Sequence, residues 1–193
     1  MIETNASDRV EGDGGGDRAF PAALAEIARV EFPWYDGEAD SALASVDFEP
    51  YEGFDSAEET ADWLRSWTGN PEADAGAYRV FGQDGTGGLA ALWCVRPGRG
   101  LTEQPVVFLG SEGERGVVAG SLSDFLWVLA DGHGPMEIVE YGIGDGGDER
   151  PNPELEAIAG RHATTPRRPA REIVAEARAE FPTFAEDLDA LCR

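Results

Sequence analysis

The chain has 193 residues and a formal charge of −23, with 38 acidic residues against 15 cationic ones, all of them Arg. That length suits one domain with tails. The absence of Lys excludes a Walker A phosphate loop and Schiff-base catalysis, and the excess of acid argues against binding nucleic-acid phosphates or anionic lipid headgroups, which need clustered cations.

Residues 1–17 are acidic and Gly-rich, with almost nothing to bury, and are expected to be a disordered tail. They are the opposite of a signal peptide, and no apolar run approaches the ~18 residues of a membrane span, so a cytoplasmic location is expected. Leu24, Ile27, Ala28 and Val30 follow Pro21 at near-helical spacing, which predicts a helix ending before Pro33. Val46-Asp47-Phe48 alternates like a short strand. Ser56 with Glu59 forms a capping-box pattern, and a helix is expected from about Ala57 to Trp67, with Thr60, Trp63, Leu64 and Trp67 on one face. The two Trp read as core residues rather than as a ligand platform.

Apolar density peaks in the centre. Between Tyr78 and Ala130, 17 of 53 residues are Leu, Ile, Val or Phe, enough for a core. Strands are expected at Tyr78–Phe81, Leu89–Val95, Pro105–Leu109 and Val117–Ala119, separated by Gly-rich turns at roughly ten-residue intervals. This spacing predicts an α+β fold whose sheet is a mainly antiparallel meander of about four to six strands, flanked by helices. Cys94, inside the apolar run, is expected to be a buried free thiol. Asp84, Gly85, Gly87 and Gly88 are assigned to a chain reversal, with Asp84 bonding its own turn N–H groups, and Gly110 to the exit from a buried strand. These are architectural roles.

A helix is expected from Ser121, capped with Asp124, with Leu122, Phe125, Leu126 and Leu129 on its buried face. Glu137–Tyr141 reads as a further strand. Three short helices follow, at Pro153–Gly160, Pro169–Ala179 and Thr183–Leu191, the last with a Thr183/Glu186 capping box. The G-x-G-x-x-G match at Gly142–Gly147 runs into Asp148-Glu149-Arg150-Pro151, which puts acids where a pyrophosphate would lie, so it reads as a surface loop. Two scattered His and two Cys give no zinc spacing, and neither a calcium-loop pattern nor a G-x-S-x-G elbow is present. No metal, cofactor or catalytic residue is assigned.

Charge is distributed unevenly. Glu31 to Ala75 holds 13 acids and one Arg, whereas Arg161 to Arg178 holds five Arg and two Glu. The acidic stretch suggests solubility or a docking face for a basic partner. For the latter the candidate contacts are Glu49, Glu52, Asp55, Glu58, Glu59 and Asp62, with Glu58 and Asp62 sharing one side of the capped helix, away from Trp63 and Trp67.

The centre also holds an ordered set of pieces: an aromatic strand into Phe81-Gly-Gln-Asp-Gly-Thr-Gly-Gly88, an apolar strand with Trp93, Pro105-Val-Val-Phe-Leu-Gly110 into Ser111-Glu-Gly-Glu114, then Val117-Val-Ala119 and Ser121-Leu-Ser-Asp-Phe-Leu126. In that order the pieces resemble the SUKH superfamily, of bacterial immunity proteins and fungal Smi/Knr-type cell-wall regulators. The resemblance covers about residues 78–130 of a single domain at 18–193, leaving a helical extension at 152–193. It implies an antiparallel α+β domain without catalysis. Its implied role is that of an immunity protein that neutralises a cognate toxin, often a nuclease or deaminase, in a bacterial polymorphic toxin system, and the acidic stretch adds the expectation that the toxin is basic. An interaction scaffold without a toxin partner, and an enzyme using paired carboxylates, are the alternatives.

Overall fold

The computed structural model describes residues 18–32, 46–144 and 151–193. The N-terminal tail, much of the acidic stretch before Val46 and the end of the G-x-G-x-x-G segment lie outside the described residues. Five strands, β1 (Glu49–Pro50), β2 (Tyr78–Gln83), β3 (Leu89–Trp93), β4 (Val106–Leu109) and β5 (Arg115–Ala119), form one antiparallel sheet in sequential order. The helices are α1 (Ala22–Ile27), α2 (Ala57–Thr68), α3 (Leu122–Ala130), α4 (Pro135–Glu140), α5 (Pro153–His162), α6 (Ala170–Glu180) and α7 (Phe184–Asp189). This is the α+β meander that the turn spacing predicts.

Both faces of the sheet are covered. Phe81, Ala90, Leu92, Val106, Phe108 and Val118 point into a core shared with α1, α3 and α5. Val80, Leu89, Ala91, Val107, Leu109 and Val117 point the other way, toward Leu64 of α2 and Phe184 and Leu188 of α7. A strand buried on both faces needs apolar residues at every position, which is why Leu89-Ala-Ala-Leu92 and Val106-Val-Phe-Leu109 do not alternate. A register shift between Val80 and Gly82 marks a bulge in β2. Phe81 then meets Phe125 at 5.6 Å and Phe48 at 6.1 Å between ring centres, both edge-on. Gly82 makes room for this cluster, since a Cβ there would lie 2.6 Å from the Phe48 ring.

Local signals place the helix starts. At α2 the Ser56 hydroxyl accepts from Glu59 N–H (3.2 Å), and the Glu59 carboxylate accepts from Ser56 N–H (2.9 Å). At α3 the box is half made: Ser121 Oγ accepts from Asp124 N–H, but the shorter Asp124 side chain takes the Ser121 hydroxyl, not its backbone N–H. At α7 the expected Thr183/Glu186 box does not form, and Thr183 donates instead to Asp187 (2.9 Å).

Four further expectations are corrected. The strand near Val46 lies slightly later, at Glu49–Pro50, although Val46 and Phe48 do point inward. Glu137–Tyr141 is not a strand but part of helix α4. Pro135 at its first position has a helix-ready φ, and Ile138 and Val139 form its inner side, Val139 resting over Gly116. Cys94 is exposed, because β3 ends at Trp93 and the chain there turns away with Cys94 N–H bonded to Ala77 C=O. Trp63 and Trp67 are only half-buried; Thr60, Leu64 and Thr68 are the inward side of α2.

Helix α3 is buried almost all round, between the sheet and the C-terminal helices. Replacing Leu126 with Ala is expected to cost about 2–5 kcal/mol. Urea unfolding should show a lower midpoint at unchanged slope.

Candidate functional site

The predicted acids lie on the segment that leads from β1 into α2. Residues 49–55 run beside β2, held by the β1 pairing and by Tyr51 N–H to Phe81 C=O and Asp55 N–H to Val80 C=O. Arg18 anchors the same segment through reciprocal bonds of 2.9 Å with the backbone of Phe54. Glu49, Asp55 and Glu59 converge on the Tyr51 phenol. Burial, with these three charges adding to it, pushes the phenol up to about 12. The phenol donates to Gln83, whose amide donates to Glu49. Burial and the neighbouring Glu59 also raise Asp55, against the pull of Arg18, while the Ser56 cap lowers Glu59. Glu52, Glu58 and Asp62 are exposed.

Among the described residues Arg18 lies 3.9 Å from Glu59 and Arg65 3.6 Å from Asp62. Both contacts are solvent-exposed and contribute little. The basic C-terminal stretch behaves differently. Arg161 binds Glu26 (2.5 Å), Arg167 binds Asp131 (3.1 Å) and Glu156, Arg168 binds Asp124 and Glu176, and Arg178 donates to Ile138 C=O. Its arginines tie helices together, so the basic run in the sequence is not a basic face.

Helix α2 carries a second feature that sequence reasoning assigned to the core. The indoles of Trp63 and Trp67 stack at 5.9 Å with 13° between planes. Trp63 Nε1 donates to Gly87 C=O (3.2 Å) and Trp67 Nε1 to Gly110 C=O (2.8 Å). One helix thereby holds two sheet reversals. Beside the indoles opens a cleft of about 560 Å³, bordered by Ser66, Ser111, Glu112, Arg115 and Asp189. Arg115 is engaged by Asp189 and by Gly113 C=O. Neither the cap nor the apolar spacing marks these rings as only half-buried; the available signal is Ser66, a polar residue on the stretch of helix between them.

Asp84 to Gly88 and Gly110 lie at two reversals of the sheet. Asp84, almost fully buried, accepts from Thr86 N–H, Thr86 hydroxyl and Gly88 N–H at 2.8–2.9 Å. Gly85 N–H reaches across to Asp47 (2.8 Å), Gly87 has φ +88°, and a Cβ at Gly88 would sit 2.6 Å from Phe108. Gly110 N–H closes the next reversal on Glu114 C=O.

A larger cleft, about 680 Å³, lies where Arg96, Arg99 and Arg168 approach the start of α3. Each of these arginines already meets an acid: Arg96 grips Glu180 through two bonds of 2.6 Å, Arg99 meets Glu103 and Arg168 meets Glu176. His162, on the cleft wall, lies 3.0 Å from Glu26. Among the described residues no group of three or more His, Cys, Asp or Glu is arranged to hold a metal ion, and no helix is long and apolar enough to cross a membrane. Comparison with protein families, curated proteins and solved structures finds no match for this chain.

One buried carboxyl stands out. Glu137 accepts from Asp47 N–H (2.6 Å), and its other oxygen is buried over Gly134. Burial raises it to about 7, with the Asp47 and Asp84 charges adding to the shift and the Asp47 N–H opposing it. The folded chain therefore holds this proton more tightly than the unfolded one, whose value is near 4.5. The resulting stabilisation is complete below about pH 4.5 and disappears as pH rises through about 7. Glu137→Gln keeps the acceptor without the titration. Between about pH 5 and 8 the wild type should lose on the order of 2–3 kcal/mol relative to this variant, measured by denaturant unfolding at each pH.

Proposed function

We propose that this chain is a non-catalytic protein-binding domain, an immunity protein of the SUKH type that neutralises a basic toxin through the acidic flank of β1 and α2. The observation that carries the reading is the separation of charge. The C-terminal arginines are engaged by acids and carbonyls of neighbouring helices, whereas the exposed acids around α2 face few cations. A flank of one sign steers an oppositely charged partner over about one Debye length, ~8 Å at physiological salt, and repels wrong partners. The order of turns and strands shared with the SUKH pattern supports the domain type, and the toxin follows from that resemblance. Neither cleft described above is lined by Glu137, whose carboxyl burial raises to about 7, so the paired-carboxylate enzyme has less support.

The test uses any basic toxin domain found encoded next to this chain's gene. Stopped-flow association should slow as salt rises, with dissociation changing less. Reversing Glu58 and Asp62 together to Arg should lower the association rate by roughly tenfold or more. Reversing Glu154 and Glu172, on α5 and α6, should leave it within about twofold. An association rate indifferent to salt and to the α2 reversal would overturn the acidic-flank reading. Capture of an endogenous protein, with no toxin encoded nearby, would favour a scaffold.

A further inference from the structure

We infer that the tryptophan cleft on α2 receives an arginine side chain of the basic partner, which seats its guanidinium against the stacked indoles of Trp63 and Trp67. The inference rests on the acidic-flank reading and names where on that flank a cationic side chain docks.

The argument begins with the rings. Both indole N–H groups are committed to backbone carbonyls, Trp63 to Gly87 and Trp67 to Gly110, so the pair is fixed in orientation before any partner arrives. Their stacking makes one continuous aromatic wall that is only half-buried. Indole is the aromatic surface that attracts a cation most strongly, and a planar guanidinium can also stack on it. A prefixed wall also avoids the ordering cost that weakens flexible contacts.

The rim selects the sign of the occupant. Arg115 and Asp189 border the cleft as an ion pair, with Arg115 also held by Gly113 C=O, so the charge left on the rim is that of Glu112. Ser66 lies one helical turn beyond Asp62, which in turn lies one turn beyond Glu58, so this row of α2 reaches the border of the cleft at Ser66. A cation attracted by Glu58 and Asp62 thus meets the aromatic wall next along the helix. The volume, about 560 Å³, is within the range that holds a bound side chain or small ligand. The hydroxyls of Ser66 and Ser111 can accept from guanidinium N–H groups.

The probe is the peptide acetyl-Gly-Arg-Gly-Arg-Gly-amide, titrated at low salt into the full ¹⁵N-labelled chain and followed by NMR. The indole N–H signals of Trp63 and Trp67 should shift with the backbone signals of Glu58 and Asp62, while that of Trp127, whose N–H is bonded to Thr165 C=O, stays still. The same peptide with citrulline for arginine should leave all of them unmoved. Trp67→Leu should weaken binding roughly 3- to 10-fold. Because that change also removes a bond to Gly110, Ser66→Arg is the second variant. It places a tethered guanidinium at the cleft from an exposed position, leaves both indole bonds in place, and should abolish the indole shifts. Shifts at Glu58 and Asp62 with still indoles, or binding unaffected by Ser66→Arg, would overturn the cleft assignment and leave the acidic flank standing. No shift anywhere at low salt would overturn both.

Discussion

The constraint on which the structure depends is the apolar character of β3 and β4 on both of their faces. Neither strand presents a polar side to water, so the sheet must be covered twice. The first cover is α3, and because its own surface is apolar almost all round it needs covering in turn, by α5 and α6. Ser123 accepts from Thr164 and Thr165 N–H and Trp127 donates to Thr165 C=O, which fixes the connecting chain against α3. The second cover joins α2 with α7, elements far apart in sequence. Asn70 donates to Leu191 C=O and Arg193 N–H to Thr68 C=O, so the end of the chain closes against the end of α2.

This layering sorts the charges. Helices that lie over other helices bring acids and arginines within reach of each other, and Arg96 shows how much one guanidinium can join. It donates to Glu103 and Gly120 carbonyls, grips Glu180, and lies 5.3 Å from the Phe181 ring centre. Helix α2 lies at the outside of the sheet, and its exposed side carries acids. The uneven charge of the sequence thereby becomes an uneven surface. Like charges held near one another oppose compaction, a cost that function at a docking face would explain.

Rigid placement makes α2 suitable for recognition. Its start is capped on both sides, its end turns through Gly69 in the left-handed conformation, and its two indoles are bonded to separate reversals of the sheet. A charged helix anchored at so many points presents its side chains in one arrangement, which lowers the cost of ordering them on binding.

The sequence by itself determined strands β2 to β5, their antiparallel succession, the start of α2 and the buried side of α3. Those features follow from neighbours a few residues apart: Gly-rich reversals, the Ser56/Glu59 box, the spacing of Leu122, Phe125, Leu126 and Leu129. Tertiary structure decided the rest. Whether Cys94 is buried depended on where β3 stops pairing, and how deeply Trp63 and Trp67 are buried depended on where α2 meets the reversals at Gly87 and Gly110, to which both indoles are bonded. Residues 137–141 became a helix through Pro135 and packing of Val139 on Gly116, which apolar alternation does not reveal. The arginines of the last third were legible as a basic run, but their engagement by Glu26, Asp124 and Asp131 was not, since those partners lie 36 to 135 residues away along the chain. Short-range pattern sets local conformation; which polar groups remain for a partner is settled only when distant segments meet.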